Sequence, residues 1–134
     1  MAKTETKSSF QERVSLSVEH IKQLYLADST PWVIGYSGGK DSTAILQLTW
    51  MAISSLDKKD LKKSVYVITT DTMVENPIVS SWVNNSLEAI NASAQSKDLP
   101  IQAHLIKPSV NESFWVNLIG RGYPAPRAKF RWCT

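Results

Sequence analysis

A run of six residues, Ser37 to Ser42, combines the groups that bind phosphate, in the order Ser-Gly-Gly-Lys-Asp-Ser. Gly38 and Gly39 let the backbone approach an anion closely, and a helix that begins behind them directs its positive dipole end to the same point. Lys40 adds a mobile cation, and the two serines add hydroxyl donors. The segment therefore predicts a phosphate-binding loop.

The spacing of this segment argues against two common nucleotide-binding loops. The P-loop, Gly-x-x-x-x-Gly-Lys-Ser/Thr, would require a glycine at Ile34 and a hydroxyl at Asp41. The dinucleotide fingerprint Gly-x-Gly-x-x-Gly is absent because the nearby glycines fall at 35, 38 and 39. A kinase or a dehydrogenase built on either motif is therefore disfavoured.

Strands and helices are predicted to alternate around the loop. An apolar stripe at helical spacing predicts a first helix that ends near Asp28, and Trp32 to Tyr36 predicts the first strand. Further helices are predicted over 42–54, 76–96 and 112–119, and further strands over 64–70 and 101–106. Such alternation predicts an α/β fold, with a parallel sheet and helices on both of its faces.

Asp71 and Thr72 follow the second predicted strand, at the edge of the sheet where open α/β folds place their ligands. Because the phosphate loop follows the first strand at the same edge, we expect the two loops to share one site. The Asp71 carboxylate suits the Mg²⁺ that accompanies ATP, held directly or through water, or a ribose hydroxyl. The simpler alternative is that Asp71 only caps a turn.

The end of the chain is basic. No acidic residue follows Glu112, and the guanidinium groups of Arg121, Arg127 and Arg131 are forked donors suited to phosphate or sulfate. These three arginines are candidate substrate-binding residues.

Composition limits the class of protein. The chain has 134 residues, a net charge of +3, 43% hydrophobic residues and 20% charged residues, as expected of a soluble globular domain. Residues 1–9 are polar and predicted to be flexible, and the four lysines within 56–63 predict a solvated connector. Without a signal-peptide core or an apolar run near the roughly 18 residues of a membrane span, we expect a cytoplasmic protein with no membrane partner.

Ser-Gly-Gly-Lys-Asp-Ser resembles the signature of the PP-loop ATP pyrophosphatases. The resemblance implies that the loop grips the β- and γ-phosphates as leaving pyrophosphate, so that ATP yields AMP. It also implies the adenine-nucleotide alpha-hydrolase-like fold, a three-layer sandwich with five parallel strands. Because only three strands are predicted, we expect residues 10–134 to be the N-terminal part of such a domain and the chain to be an N-terminal fragment.

Two further segments, Asp71 to Pro77 and Gly120 to Thr134, make the resemblance more specific. With the loop, they resemble the DndC-type family of DNA sulfur-modification (phosphorothioation) proteins, a branch of the phosphoadenosine phosphosulfate reductase superfamily. The resemblance covers the chain from about residue 10 to its end. It implies ATP and Mg²⁺ as ligands, DNA as the acceptor of sulfur, and partner proteins that include a cysteine desulfurase-type sulfur donor.

The resemblance also implies roles for individual residues. Ser37, Lys40 and Asp41 are expected to act in catalysis, with Asp41 ordering the loop or a water on its magnesium. The ATP and pyrophosphate site is expected to comprise Tyr36, Ser37, Gly38, Gly39, Lys40, Asp41, Ser42, Thr43, Asp71 and Thr72.

The family carries an iron–sulfur cluster, which bears on the single cysteine, Cys133. A four-iron cluster needs four thiolates, so we expect a cluster only in a longer protein. Cys133 is then a redox-active residue, a ligand completed elsewhere or a structural residue.

Two alternative functions remain open from the sequence. The same chemistry could serve sulfur assimilation, as in a sulfate adenylyltransferase or a phosphoadenosine phosphosulfate reductase. The chain could instead be a nucleotide-responsive binding module of a DNA-modifying complex, without turnover of its own.

Overall fold

The structure, a computed structural model, describes residues 9–130. Three helices alternate with three strands: α1 (Phe10–Ala27), β1 (Trp32–Gly35), α2 (Lys40–Ser54), β2 (Val65–Thr70), α3 (Pro77–Ser96) and β3 (Ile101–Ile106). Short 3-10 turns lie at Lys58–Asp60 and Val110–Glu112, and a π-helical turn lies at Val116–Gly120. No helix in this described part is long and apolar enough to cross a membrane. The predicted alternation is confirmed, and the helix predicted over 112–119 corresponds to a helical segment over 114–120 that ends in the π-helical turn.

The strands form one parallel sheet in the order β1-β2-β3. Val65 of β2 lies between Trp32 of β1 and Ile101 of β3 in the register. A parallel sheet whose strands are joined by helices defines an α/β fold. That class was predicted from the sequence, and the structure confirms it.

Within residues 9–130, helices cover only one face of the sheet. Alternate strand residues such as Ile34, Val67 and Ala103 are buried beneath the helices, whereas Val33 and His104 on the other face are exposed, Val33 by 64%. The prediction of helices on both faces is therefore wrong for this part of the chain. The order of the strands across the sheet is the same as their order along the chain, so both crossovers run in the same direction across the sheet. Since such crossovers are right-handed, α2 and α3 lie on the same face of the sheet.

Side-chain caps are found at the start of α1 and at the start of α3. Ser9, in the segment predicted to be flexible, accepts the Glu12 N–H at 3.2 Å, and its own N–H donates to the Glu12 carboxylate at 2.7 Å. Asn76 accepts the Ile78 N–H at 2.9 Å at the start of α3, where the helix predicted over 76–96 begins. The helix boundaries therefore follow local capping chemistry where a capping side chain exists.

Lys63 attaches α1 to the sheet, although the surrounding lysines predicted a solvated segment. Its side chain is only 1% exposed, and its ammonium pairs with Asp28 at 2.8 Å. The same ammonium lies 4.5 Å from the ring centre of Trp32 and 5.1 Å from that of Tyr25. The Lys63 hydrogen bond lowers the pKa of Asp28, and burial raises the pKa of Tyr25. The prediction of a solvated side chain is therefore wrong at Lys63.

Tyr25→Phe tests this attachment. The Tyr25 hydroxyl donates to the Lys63 carbonyl at 2.6 Å and accepts the Lys63 N–H at 3.3 Å, so its loss leaves two buried backbone groups without that partner. We expect the free energy of unfolding, measured in urea, to fall by about 1–3 kcal/mol. Tyr66→Phe, on the open face of the sheet, is the matched control and should change it by less than about 0.5 kcal/mol. Equal losses for the two variants would contradict the assignment.

Candidate functional site

The predicted phosphate loop lies between β1 and α2, and its base is tied to β2. The Tyr36 N–H donates to the Ile68 carbonyl at 2.8 Å, and the Tyr36 carbonyl accepts the Thr69 hydroxyl at 2.5 Å. Tyr36 and Thr69 are both buried. The chain therefore leaves β1 for the loop at a position that β2 determines.

Hydroxyl groups close the loop onto the first turn of α2. The Ser42 hydroxyl donates to the Gly39 carbonyl at 3.2 Å and accepts the Ser37 N–H at 3.3 Å. The Ser37 and Ser42 oxygens lie 3.2 Å apart, and the Gly39 N–H donates to the Ser37 oxygen at 3.4 Å. These contacts bring two hydroxyls and a backbone amide to one point.

α2 begins at Lys40, two residues earlier than the sequence predicted. Gly39 is its N-cap and provides no side chain to cap the helix, which explains why the start was misplaced. The N–H groups of a first helical turn have no acceptor within the helix, and the dipole favours an anion beside them. Lys40 and Asp41 both lie in this turn, which the Thr43 N–H closes by donating to the Gly39 carbonyl at 3.0 Å.

Gly38 has a left-handed backbone and a close neighbour. Its φ is 74°, and a Cβ built on it would lie 2.1 Å from Cζ3 of Trp82 in α3. Trp82 is 50% exposed. Glycine is therefore required at position 38 both for its backbone conformation and for the indole beside it.

The second loop leaves the sheet beside the first. The Asp71 N–H donates to the Ile106 carbonyl at 2.9 Å, and one Asp71 carboxylate oxygen accepts the Met73 N–H at 2.8 Å. The other oxygen lies 3.6 Å from the Lys107 ammonium, and the Asp71 side chain is 15% exposed. Asp71 thus caps a turn, as the simpler alternative supposed, and also faces the region between the two loops.

A cleft of about 650 Å³ opens between the two loops and α3. Its volume lies within the range of small-molecule binding sites, which combine apolar walls with a few polar groups. Four of the predicted ATP-site residues line it, and those from Gly38 to Thr43 form the adjoining loop and helix turn. The lining residues from the predicted set are Tyr36, Ser37, Asp71 and Thr72, and those that sequence reasoning missed include Glu75, Val79 and Val83.

The carboxylates of the cleft fit a cation that arrives with a nucleotide. Asp71 and Glu75 line the cleft, and the Thr72 hydroxyl donates to the Glu75 carboxylate at 3.3 Å. Mg²⁺ is usually held by one or two carboxylates together with phosphate oxygens and water. Over residues 9–130 no group of three or more His, Cys, Asp or Glu side chains is placed to hold a metal ion. The residues therefore suit Mg²⁺ shared with a phosphate ligand, whereas a single cysteine in the chain does not suit an iron–sulfur cluster.

The basic end of the chain is held by local contacts. The Arg121 guanidinium donates to both carboxylate oxygens of Glu112, at 3.1 and 3.3 Å, and this pair raises the pKa of Arg121. Arg127 closes a tight turn through reciprocal backbone hydrogen bonds with Phe130. Neither arginine lines the cleft, and their role in binding substrate stays a prediction. Arg131 and Cys133, the remaining predicted residues, lie outside the described residues.

Compared with protein-family models, curated proteins and solved structures, the chain matches none at a significant level. What the structure itself defines is an α/β protein with a three-stranded parallel sheet, two adjacent loops at its carboxyl edge and a cleft between them.

Gly38→Ala tests the geometry of the loop against a matched control. Gly122 also has a positive φ, 68°, but a Cβ there would meet nothing within 4 Å. Gly122→Ala should cost only the backbone strain, about 1–2 kcal/mol in the free energy of unfolding. Gly38→Ala should cost on the order of 1 kcal/mol more, because the added methyl also displaces the Trp82 ring. Urea unfolding of both variants measures the difference, and equal costs would contradict the contact.

Proposed function

We propose that this protein is an ATP pyrophosphatase that acts in DNA phosphorothioate modification, cleaving ATP to AMP and pyrophosphate in the cytoplasm. The observation that best supports ATP as the substrate is the position of the Ser37–Ser42 loop. The loop lies at the N-terminus of α2 and beside the cleft that contains Asp71. The α–β cleavage and the DNA acceptor are supported by the resemblance of the motifs.

The loop would hold the leaving pyrophosphate. The first-turn amides of α2 and the Lys40 ammonium supply positive charge, and the Ser37 hydroxyl supplies a further donor. The Ser42 hydroxyl, 3.2 Å from that of Ser37, would become a donor to the ligand by turning from the Gly39 carbonyl. As the bond between the α-phosphorus and the bridging oxygen breaks, negative charge develops on that oxygen. Donors that are already oriented stabilise this charge with little reorganisation, which makes catalysis mainly electrostatic and positional.

The second loop would hold the metal and the nucleoside side of ATP. Asp71 and Glu75 would hold Mg²⁺, which when bound would neutralise phosphate charge. Apolar residues of the cleft, Ile68 and Leu105 among them, offer a surface for the adenine ring. The acceptor, a non-bridging phosphate oxygen of DNA in this proposal, would attack the α-phosphorus as pyrophosphate leaves, which gives an adenylylated DNA phosphate. Sulfur supplied by the donor protein at the oxidation level of sulfide would then attack the DNA phosphorus and displace AMP together with that oxygen.

ATP labelled at the α-phosphate tests which bond is cleaved. We expect labelled AMP, and labelled ADP as the product would contradict the proposal.

Lys40→Ala should lower turnover by about 10²-fold, because it removes the cation beside the leaving group. Lys58→Ala, which removes an exposed lysine paired with Asp98, is the control and should leave turnover unchanged.

Pyrophosphate release in the presence of candidate acceptors tests the substrate. Duplex DNA should stimulate release from the wild-type protein, and the stimulation should weaken as salt rises because phosphate contacts release counterions. Stimulation by sulfate and indifference to DNA would instead support an enzyme of sulfur assimilation. ATP binding without release under any condition would support a nucleotide-responsive binding module.

A further inference from the structure

Trp82 joins α3 directly to the phosphate loop. The three heavy atoms nearest to a Cβ built on Gly38 are Cζ3, Cη2 and Cε3 of Trp82, at 2.1, 3.0 and 3.1 Å. The edge of the six-membered ring therefore lies against Gly38 itself. Since half of the Trp82 surface remains exposed, burial in the core does not account for its position.

The helix that carries Trp82 also forms a wall of the cleft. Val79 and Val83, which lie three residues before and one residue after Trp82, both line the cleft. Val83 and Leu87 are buried in the core, and the Asn76 cap holds the start of the helix. The indole is therefore attached to a firm element, whereas the loop that it contacts contains two glycines.

A glycine turn without support samples many backbone conformations, and binding a ligand to it costs the entropy of selecting one. A ring packed against the turn restricts it before the ligand arrives. Such preorganisation strengthens the binding of the group that the loop grips, and it leaves groups bound elsewhere in the cleft unaffected.

We propose that Trp82 is a positioning residue that holds the Gly38 turn in the conformation that binds the pyrophosphate group of ATP. This inference rests on the proposed function. The ligand class that depends on Trp82 is the pyrophosphate-bearing ligands, ATP and inorganic pyrophosphate. AMP, which lacks the pyrophosphate, does not depend on it.

Calorimetric titration of the purified protein with inorganic pyrophosphate, ATP and AMP tests the inference. Trp82→Ala should raise the Kd for pyrophosphate and ATP by about tenfold, equivalent to about 1.4 kcal/mol. The Kd for AMP should not change, and Trp82→Phe should restore part of the affinity. Trp115→Ala is the matched control because Trp115 is 55% exposed and does not line the cleft. Equal weakening of AMP and pyrophosphate would overturn the inference.

A double-mutant cycle tests the same contact without any ligand. Gly38→Ala should raise the unfolding equilibrium constant by some factor in the wild type. If the ring presses on position 38, that factor should be about fivefold smaller in the Trp82→Ala background. Additive effects would overturn the inference even if the protein cleaves ATP. If the wild-type protein binds neither ATP nor pyrophosphate, the proposed function fails, and the role of Trp82 in binding fails with it. A non-additive cycle would then show that Trp82 has a structural role only.

Discussion

The pairing of β1 with β2 beyond the end of β1 is the constraint on which the candidate site depends. Tyr36 lies one residue past the strand, yet its N–H and carbonyl both bond to β2, through Ile68 and Thr69. The bond from the Asp71 N–H to Ile106 extends the pairing of β2 with β3 in the same way. Two loops therefore leave the sheet side by side, and the cleft is the space between them.

The helices α2 and α3 form the remaining parts of the candidate site. α2 starts immediately after the loop, and its uncapped first turn directs backbone amides toward the place where the loop hydroxyls meet. On the other side, α3 contributes Val79, Ser80, Val83 and Asn84 to the lining of the cleft and places an indole on Gly38. The anion-binding features come from the first crossover, and the shape of the site comes from the second.

The helical layer lies on one face of the sheet, and α1 belongs to that layer through unusual chemistry. The ammonium of Lys63 is enclosed by two aromatic rings and paired with Asp28, so the cation is buried without being unpaired. The Tyr25 hydroxyl bonds to the backbone of the same residue. At this contact between α1 and the sheet, a charged residue therefore occupies a buried position that an apolar residue usually occupies in a core.

Local signals in the sequence predicted most of the elements and the groups of the loop. The Asn76-Pro77 start of α3 and the bounds of β3 were predicted correctly, because a capping side chain, a proline and a β-branched or apolar run act over a few residues. The start of α2 was missed because a glycine cap leaves no side-chain signal. The prediction that helices cover both faces failed because the direction of successive crossovers is not encoded in any one segment.

The sequence by itself determined the chemistry available at the loop: two glycines, a lysine and two hydroxyls at a spacing that excludes the P-loop and predicts a phosphate grip. Only the tertiary structure decided which partners those residues have. Trp82 meets Gly38, Tyr25 meets Lys63, and Arg121 is paired with Glu112 and lies outside the cleft lining. The physical reason is that such contacts join residues from separate elements or turns. Their formation depends on how those elements pack, and packing between distant segments leaves no periodic pattern in the chain.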